Sequence, residues 1–444
     1  MSKLSIKLLM NATAGSCLLL LTVPSLTVPA FADSQARVVR LSEIQGDVRI
    51  DRNTGQGYEK AFLNLPMTQG VKLQTKSDGR AEVEFEDDST LRVTPNTVID
   101  FPQLSLRDSG GKVTTVHLQE GTAYVNFAGA KDDEFTLTFA HEKLSLSHSA
   151  HLRIEMADTV ATVAVFSGDA QIESDSDTVT VNKNHSASFD LTDDDRCALA
   201  QSLEPDPFDA WDKQQNQYHQ QYAGNSYSNY SPYAYGTSDL NYYGSFFDAP
   251  GYGLMWQPYF AGAGWDPFMN GAWAFSPGFG YGWVSGYPWG WTPYHYGSWI
   301  YLPTYGWVWQ PGGSWAGWRA PRIIGAPSNF LLPQPPSNPG HGIVMVNRGP
   351  MPVQIGKSFN RLEISKNSAG LGIPRGGIKN LNQLSSTVQQ KGFAAAKVHT
   401  APVGISWWHN GYSAPVSHAG AWHGGSTASA SAGHASSGHS VGHR

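Results

Sequence analysis

The sequence predicts an all-β protein: a β-sandwich or β-roll, then a small module of aromatic β-hairpins. Two observations carry the prediction. Over residues 37–192, apolar and polar residues alternate in short runs separated by turn formers, as strands with one buried and one wet face require. Over residues 242–318, glycine, proline and tryptophan recur every 26 or 27 residues, which marks a repeated supersecondary unit. The rest of the 444 residues reads as a leader, connecting segments and a low-complexity tail.

Residues 1–32 have the make-up of a cleaved secretory signal. Lys3 and Lys7 precede a short apolar stretch, and Ala30-Phe31-Ala32 supplies the small-x-small cleavage pattern. The stretch is interrupted at Pro24 and is too short to span a bilayer, and no later segment has the roughly 18 apolar residues that a span needs. After cleavage Cys197 is the one remaining cysteine. It has no partner for an internal disulfide, so stability must come from packing.

Strands follow in order: Val38-Val39-Arg40-Leu41, Gly46-Asp47-Val48-Arg49-Ile50, Ala81-Glu82-Val83-Glu84-Phe85 and Thr90-Leu91-Arg92-Val93. Val113-Thr114-Thr115-Val116-His117-Leu118 and Ala123-Tyr124-Val125-Asn126-Phe127 continue the pattern, with Glu120-Gly121 between them as a turn. Further strands fall at 135–139, 144–146, 152–156, 160–166, 170–172 and 179–181. Some 155 residues suffice for one core. Ile44-Gln45-Gly46-Asp47-Val48, Gly70-Val71-Lys72-Leu73-Gln74-Thr75 and the run from Gly79-Arg80-Ala81-Glu82-Val83 to Val93-Thr94-Pro95-Asn96-Thr97 resemble the FecR-type periplasmic domain. Leu118-Gln119-Glu120-Gly121 and Val165-Phe166-Ser167-Gly168-Asp169-Ala170 fit it as well. The resemblance implies an all-β domain over 33–192 of a kind that relays signals from outer-membrane transporters. The chain departs from it in lacking a transmembrane helix and a cytoplasmic segment, and in carrying Ser147-His148-Ser149-Ala150 where the family has Gly-Thr.

Residues 193–241 read as a polar, flexible linker with a short helix around Trp211. In 242–318 lie eleven of the 15 tryptophans. Gly244, Gly271 and Gly297 recur in step with Pro250, Pro277 and Pro303 and with Trp256, Trp283 and Trp309. Three hairpins result, turning at Pro250-Gly251-Tyr252-Gly253, Pro277-Gly278-Phe279-Gly280 and Pro303-Thr304-Tyr305-Gly306. A unit this short cannot bury its own apolar face, so the copies are expected to stack. These repeats resemble a Trp/Gly/Pro-rich family of unknown function found after FecR-type domains. Residues 319–342 are a Pro-rich linker. Residues 343–403 form a small ordered segment, with a strand at 342–347, a helix at 381–391 and a strand at 394–399. Residues 404–444, rich in Gly, Ser and His, are a disordered tail.

The net charge of −6 hides an asymmetry: −13 over 33–205, −5 over 206–318 and +10 over 319–444. A basic C-terminal region of this kind meets an anionic surface; in an exported protein that partner is not nucleic acid. No nucleophile elbow, P-loop, dinucleotide fingerprint or zincin motif occurs. Glu84, Glu86, Asp87 and Asp88 read as a solvated hairpin tip, and His141, His148 and His151 as surface histidines. No catalytic residue, metal site or cofactor is expected. The dense run Trp289, Trp291, Tyr294, Tyr296, Trp299, Trp307 and Trp309 is the candidate ligand-binding surface, since exposed indole and phenol faces stack on sugar rings. Core packing is the competing role for the same rings. The function expected is therefore that of an exported, non-catalytic scaffold for an envelope polymer, such as cell-wall polysaccharide, or for another envelope protein. The alternatives are a sensory or regulatory module with a membrane partner, and a carbohydrate-active enzyme using two acidic residues.

Overall fold

The computed structural model describes residues 37–174, 177–192, 196–223, 236–258, 265–315, 317, 321–337, 340 and 342–348. Seventeen strands come first: β1 (Val39–Gln45), β2 (Val48–Asp51), β3 (Glu59–Lys60), β4 (Pro66–Met67), β5 (Lys72–Thr75), β6 (Arg80–Glu84), β7 (Thr90–Val93), β8 (Val98–Leu106) and β9 (Lys112–Phe127). Then follow β10 (Glu134–Phe139), β11 (Glu142–Leu146), β12 (Ala150–Met156), β13 (Val160–Ser167), β14 (Asp169–Glu173), β15 (Thr178–Asn182), β16 (His185–Asp190) and β17 (Arg196–Ala200).

These strands make a two-layered sandwich. The first sheet runs β4-β1-β6-β7-β9-β12-β13-β16-β17. The second runs β3-β2-β5-β8-β9-β10-β11-β14-β15, with β9 and β10 parallel. Val83, Leu91, Val125 and Leu152 of the first sheet meet Leu73, Ile99, Leu137 and Ile172 of the second in one aliphatic core.

Strand β9 belongs to both layers, so the expected turn at Glu120-Gly121 is instead a corner inside a single 16-residue strand. Register slips there against β8. Gly121 has φ +87°, and a Cβ on it would lie 2.5 Å from the Asn96 carbonyl oxygen. Only glycine combines that backbone with so close an approach.

Helix α1 (Asp209–Tyr222) follows the sandwich, then α2 (Thr237–Tyr243). Trp211, Asp212, Gln215, Tyr218 and His219 are the buried positions of α1, a helical stripe laid on the first sheet. The described part of 193–241 is therefore docked structure, where a flexible linker was expected. The reason is the partner it finds on that sheet's outer face.

Three hairpins come next: β18 (Gly244–Ala249) with β19 (Gly253–Pro258), β20 (Asn270–Ser276) with β21 (Gly280–Ser285), and, after the short α3 (Thr292–His295), β22 (Tyr296–Leu302) with β23 (Gly306–Trp315). All three turns close with the same bond, from Tyr252, Phe279 and Tyr305 N–H to the carbonyl three residues back. Gly251 and Gly278 take φ +81° in the first two; Thr304 closes the third without a left-handed residue at that position.

The spacing of glycine and tryptophan has a direct cause. A Cβ on Gly244 would sit 2.3 Å from the Trp256 ring, and one on Gly271 2.4 Å from the Trp283 ring. On Gly297 it would meet the Gln310 carbonyl at 2.1 Å and Trp309 Nε1 at 2.9 Å. Each unit thus clears space for its own indole.

The copies do not stack in series. The first and third share a five-stranded sheet that ends on β24 (Arg322–Ile324), with Trp256 opposite Trp309. The second joins β25 (Ile343–Asn347) in a separate sheet and turns Ala274 and Val284 into the sandwich core. Its small residues let it fit there. The 381–391 helix, the 394–399 strand, the leader and the 404–444 tail lie outside the described residues. Among the described residues no helix is long and apolar enough to cross a membrane.

Candidate functional site

The seven aromatic candidates form a core. Trp289, Trp291, Tyr294, Tyr296, Trp299, Trp307 and Trp309 are at most 5% exposed. Trp289 is the hub: its ring lies 4.9 Å from Tyr287 in parallel stacking, 5.0 Å from Trp256, and 5.9 Å from Trp265, Tyr294 and Trp299. Trp265 Nε1 donates to Tyr287 Oη at 2.9 Å, and Tyr294 Oη donates to the Pro267 carbonyl. Stacking on a sugar needs an open ring face, which none of the seven presents in this arrangement. Each fully buried indole removes about 150–200 Å² from water, a gross gain of about 4–5 kcal/mol. That term holds together a segment with almost no charge.

The polar groups gather elsewhere, on the outer face of the first sheet. Alternation turns Val83 and Leu91 inward and therefore Glu82, Glu84 and Arg92 outward. Register then sets Arg40 opposite Glu84, Glu82 opposite Arg92, Arg92 opposite Tyr124, and Tyr124 opposite Arg153. The row is not wet, because α1 and α2 cover it.

Arg92 Nε donates to Glu82 at 2.8 Å, and its Nη1 to Asp212 at 2.7 Å and Asn216 at 2.9 Å. His219 Nε2 lies 3.0 Å from Glu82 Oε1, and His151 Nε2 lies 2.7 Å from Asp212. Arg153 Nη1 reaches Asp209 at 2.6 Å, and Tyr124 Oη donates to Asp206 at 2.8 Å. Arg40 pairs with Asp239 of α2, and its Nη1 is 3.0 Å from Glu84 Oε2. Gly236 N–H donates to Glu84 Oε1 at 2.8 Å, and Tyr218 Oη to Asp239 at 2.8 Å.

Burial alone would lower the Arg92 pKa; Glu82 and Asp212 more than offset that and hold it raised. Burial, with the hydrogen bonds to Asp206 and Asp209, pushes the Tyr124 phenol up. Asp88 stands in the β6–β7 turn. Desolvation first, and the neighbouring Glu84 charge second, push its carboxyl up to about 6.

The expected solvated tip is thus corrected. Glu84 and Glu86 are buried, and Asp87 and Asp88 are half-buried. Glu86 forms a two-pronged pair with Arg37 at 2.8 and 3.0 Å. His141 and His148 are exposed as expected, whereas His151 is tied into the seam. Glu84, Asp88 and His219 offer ligand atoms that all lie within 4.8 Å of one another. His219 was missed because 137 residues separate it from Glu82, its contact on the sandwich. The available signal was its place on the same helical stripe as Trp211, Asp212, Gln215 and Tyr218.

Comparison with known proteins matches the two halves separately. Residues 71–171 match the FecR protein family, and residues 237–324 match a family of unknown function, DUF6600. Two crystal structures of a proposed anti-sigma factor from Parabacteroides distasonis ATCC 8503 are similar to part of the chain. One is 14% identical over 30% of this chain and 59% of that one, with a TM-score of 0.26. The other is 13% identical over 36% and 69%, with a TM-score of 0.27. The chain therefore spans about three fifths of the first structure's length. No curated protein matches.

Proposed function

We propose that this chain is an exported, non-catalytic cell-envelope protein in which the FecR-like sandwich (33–192) and the aromatic module (242–318) serve as one interaction scaffold. The observation that carries the reading is the seam beneath α1 and α2. There the carboxylates and imidazoles best suited to acid–base work, Glu82, Asp212, His151 and His219, are engaged with one another and with Arg92. With the seven aromatic rings spent on a core, recognition falls to the outer surface and to the basic C-terminal region, which meets an anionic polymer or headgroup. Export rests on the leader pattern at 1–32.

The test is retention of the leader-free chain on peptidoglycan and on envelope polysaccharides, together with cross-linking in intact cells. Capture by an envelope polymer or an envelope protein, without turnover of a broad glycan panel, is the expected result. Turnover would establish the carbohydrate-active alternative. A second reading, a sensory module working with a membrane partner, is favoured by the FecR match over 71–171. Recovery of a membrane protein as the dominant cross-link would select it.

A further inference from the structure

We infer that Glu84, Asp88 and His219 form a binding site for one divalent transition-metal cation of the Zn²⁺ class, a clip between the sandwich and α1. The inference does not depend on what the scaffold binds.

Three separate observations lead to it. The first is geometric: one carboxylate oxygen from each acid and one imidazole nitrogen lie within 4.8 Å of one another. A tetrahedral Zn²⁺ needs ligand atoms about 3.4 Å apart. The half-buried Asp88, on its turn, can move to close that difference.

The second lies behind the ligands. His219 Nε2 is held by Glu82 at 3.0 and 3.2 Å, and Glu82 itself accepts from Arg92 and from Ser42 Oγ at 2.6 Å. A carboxylate on one imidazole nitrogen orients the ring and strengthens the other nitrogen as a donor, the usual support of a metal-bound histidine. Nδ1 is therefore the atom a cation would take.

The third is charge. Glu82, Glu84, Asp88, Asp212 and Asp239 face two guanidinium groups, Arg40 and Arg92, with His151 and His219 beside them. Residues 224–235, which join α1 to α2, contain no Lys, Arg or His. Buried carboxylates in excess of their cations need a further positive charge. The imidazole among the donors favours Zn²⁺ over Ca²⁺ and Mg²⁺, which prefer oxygen alone.

The experiment uses the leader-free full-length chain, stripped with a chelator and titrated with ZnCl₂ while Tm is followed, with CaCl₂ and MgCl₂ as comparisons. The expected result is a saturable rise in Tm with Zn²⁺ that Ca²⁺ and Mg²⁺ do not reproduce. His219→Gln and Asp88→Asn weaken the apparent affinity by about tenfold or more, and His151→Gln leaves it unchanged. Asp88→Asn guards against misfolding, since Asp88 has φ +70°, a backbone that Asn tolerates. The tail histidines can bind Zn²⁺ without contributing to the Tm rise, and the variants separate the two. No rise in the native chain, or an equal rise in Asp88→Asn, overturns the site.

Discussion

Two seams join the sandwich to the rest of the chain, and they are built from opposite chemistry. At one, β20 and β21 press Ala274 and Val284 into the aliphatic core. Asn64 Nδ2 donates to the carbonyls of Ser285 at 3.0 Å and Tyr287 at 2.8 Å, and Arg52 donates to that of Phe275. At the other, α1 and α2 cover a row of arginines and carboxylates. The apolar seam needs volume and a few backbone acceptors; the ionic seam needs every partner. An apolar contact degrades by degrees when trimmed, whereas a buried ion pair that loses one member leaves an uncompensated charge.

The largest expected effect is on the ionic side. Arg92→Met strands Glu82 and Asp212 and should cost about 3–5 kcal/mol in chemical denaturation. A loss well below that would mean water enters the seam.

Acidity should divide the two regions. His295, buried beside Trp291 at 4.4 Å, has its pKa lowered by desolvation to about 4. The unfolded chain takes up that proton first as pH falls. Stability is therefore complete above about pH 6.5 and declines by about 3 kcal/mol toward pH 4. Asp88, with its carboxyl pushed up to about 6, acts in the opposite sense. Its contribution is present below about pH 4 and is lost as pH rises through about 6. In chelated protein Asp88→Asn should accordingly gain about 2–3 kcal/mol near pH 8 and little near pH 4. Urea titrations across pH on both variants, with His295→Phe flattening the acid limb, check the division.

Smaller changes test the apolar side. Val284→Ala should cost about 2 kcal/mol through lost burial and the space left behind. Gly271→Ala sets a methyl against the Trp283 ring and should cost about 1–2 kcal/mol. Equal losses in the corresponding Gly244→Ala would show that the three hairpins use the clearance alike.

Much of this was legible in the sequence. Alternation placed the strands because Val83 and Leu91 must hide, and the Pro-x-x-Gly turns placed the three hairpins. Alternation also says that Glu82, Glu84 and Arg92 face outward, but not whether water or a helix meets them there. The hint was composition: a strand face meant for water carries Lys, Ser and Thr more readily than facing Arg and Glu. The burial of Trp289 and its neighbours was less legible, because nothing local tells an indole in a core from one on a surface. The glycine twelve positions before Trp256, Trp283 and Trp309 was the signal, since a residue that yields room to a ring indicates that the ring lies against backbone. The corner at Gly121 read as a turn because glycine serves both.

The continuity of β9 has a consequence for how the sandwich comes apart. Its N-terminal half is paired to β8 and β10, and its C-terminal half to β7 and β12. Neither layer can release its central strand without tugging the other along one covalent backbone. The two layers should open in a single cooperative event, so amide protons at Val116 and Val125 should exchange with the same free energy of opening.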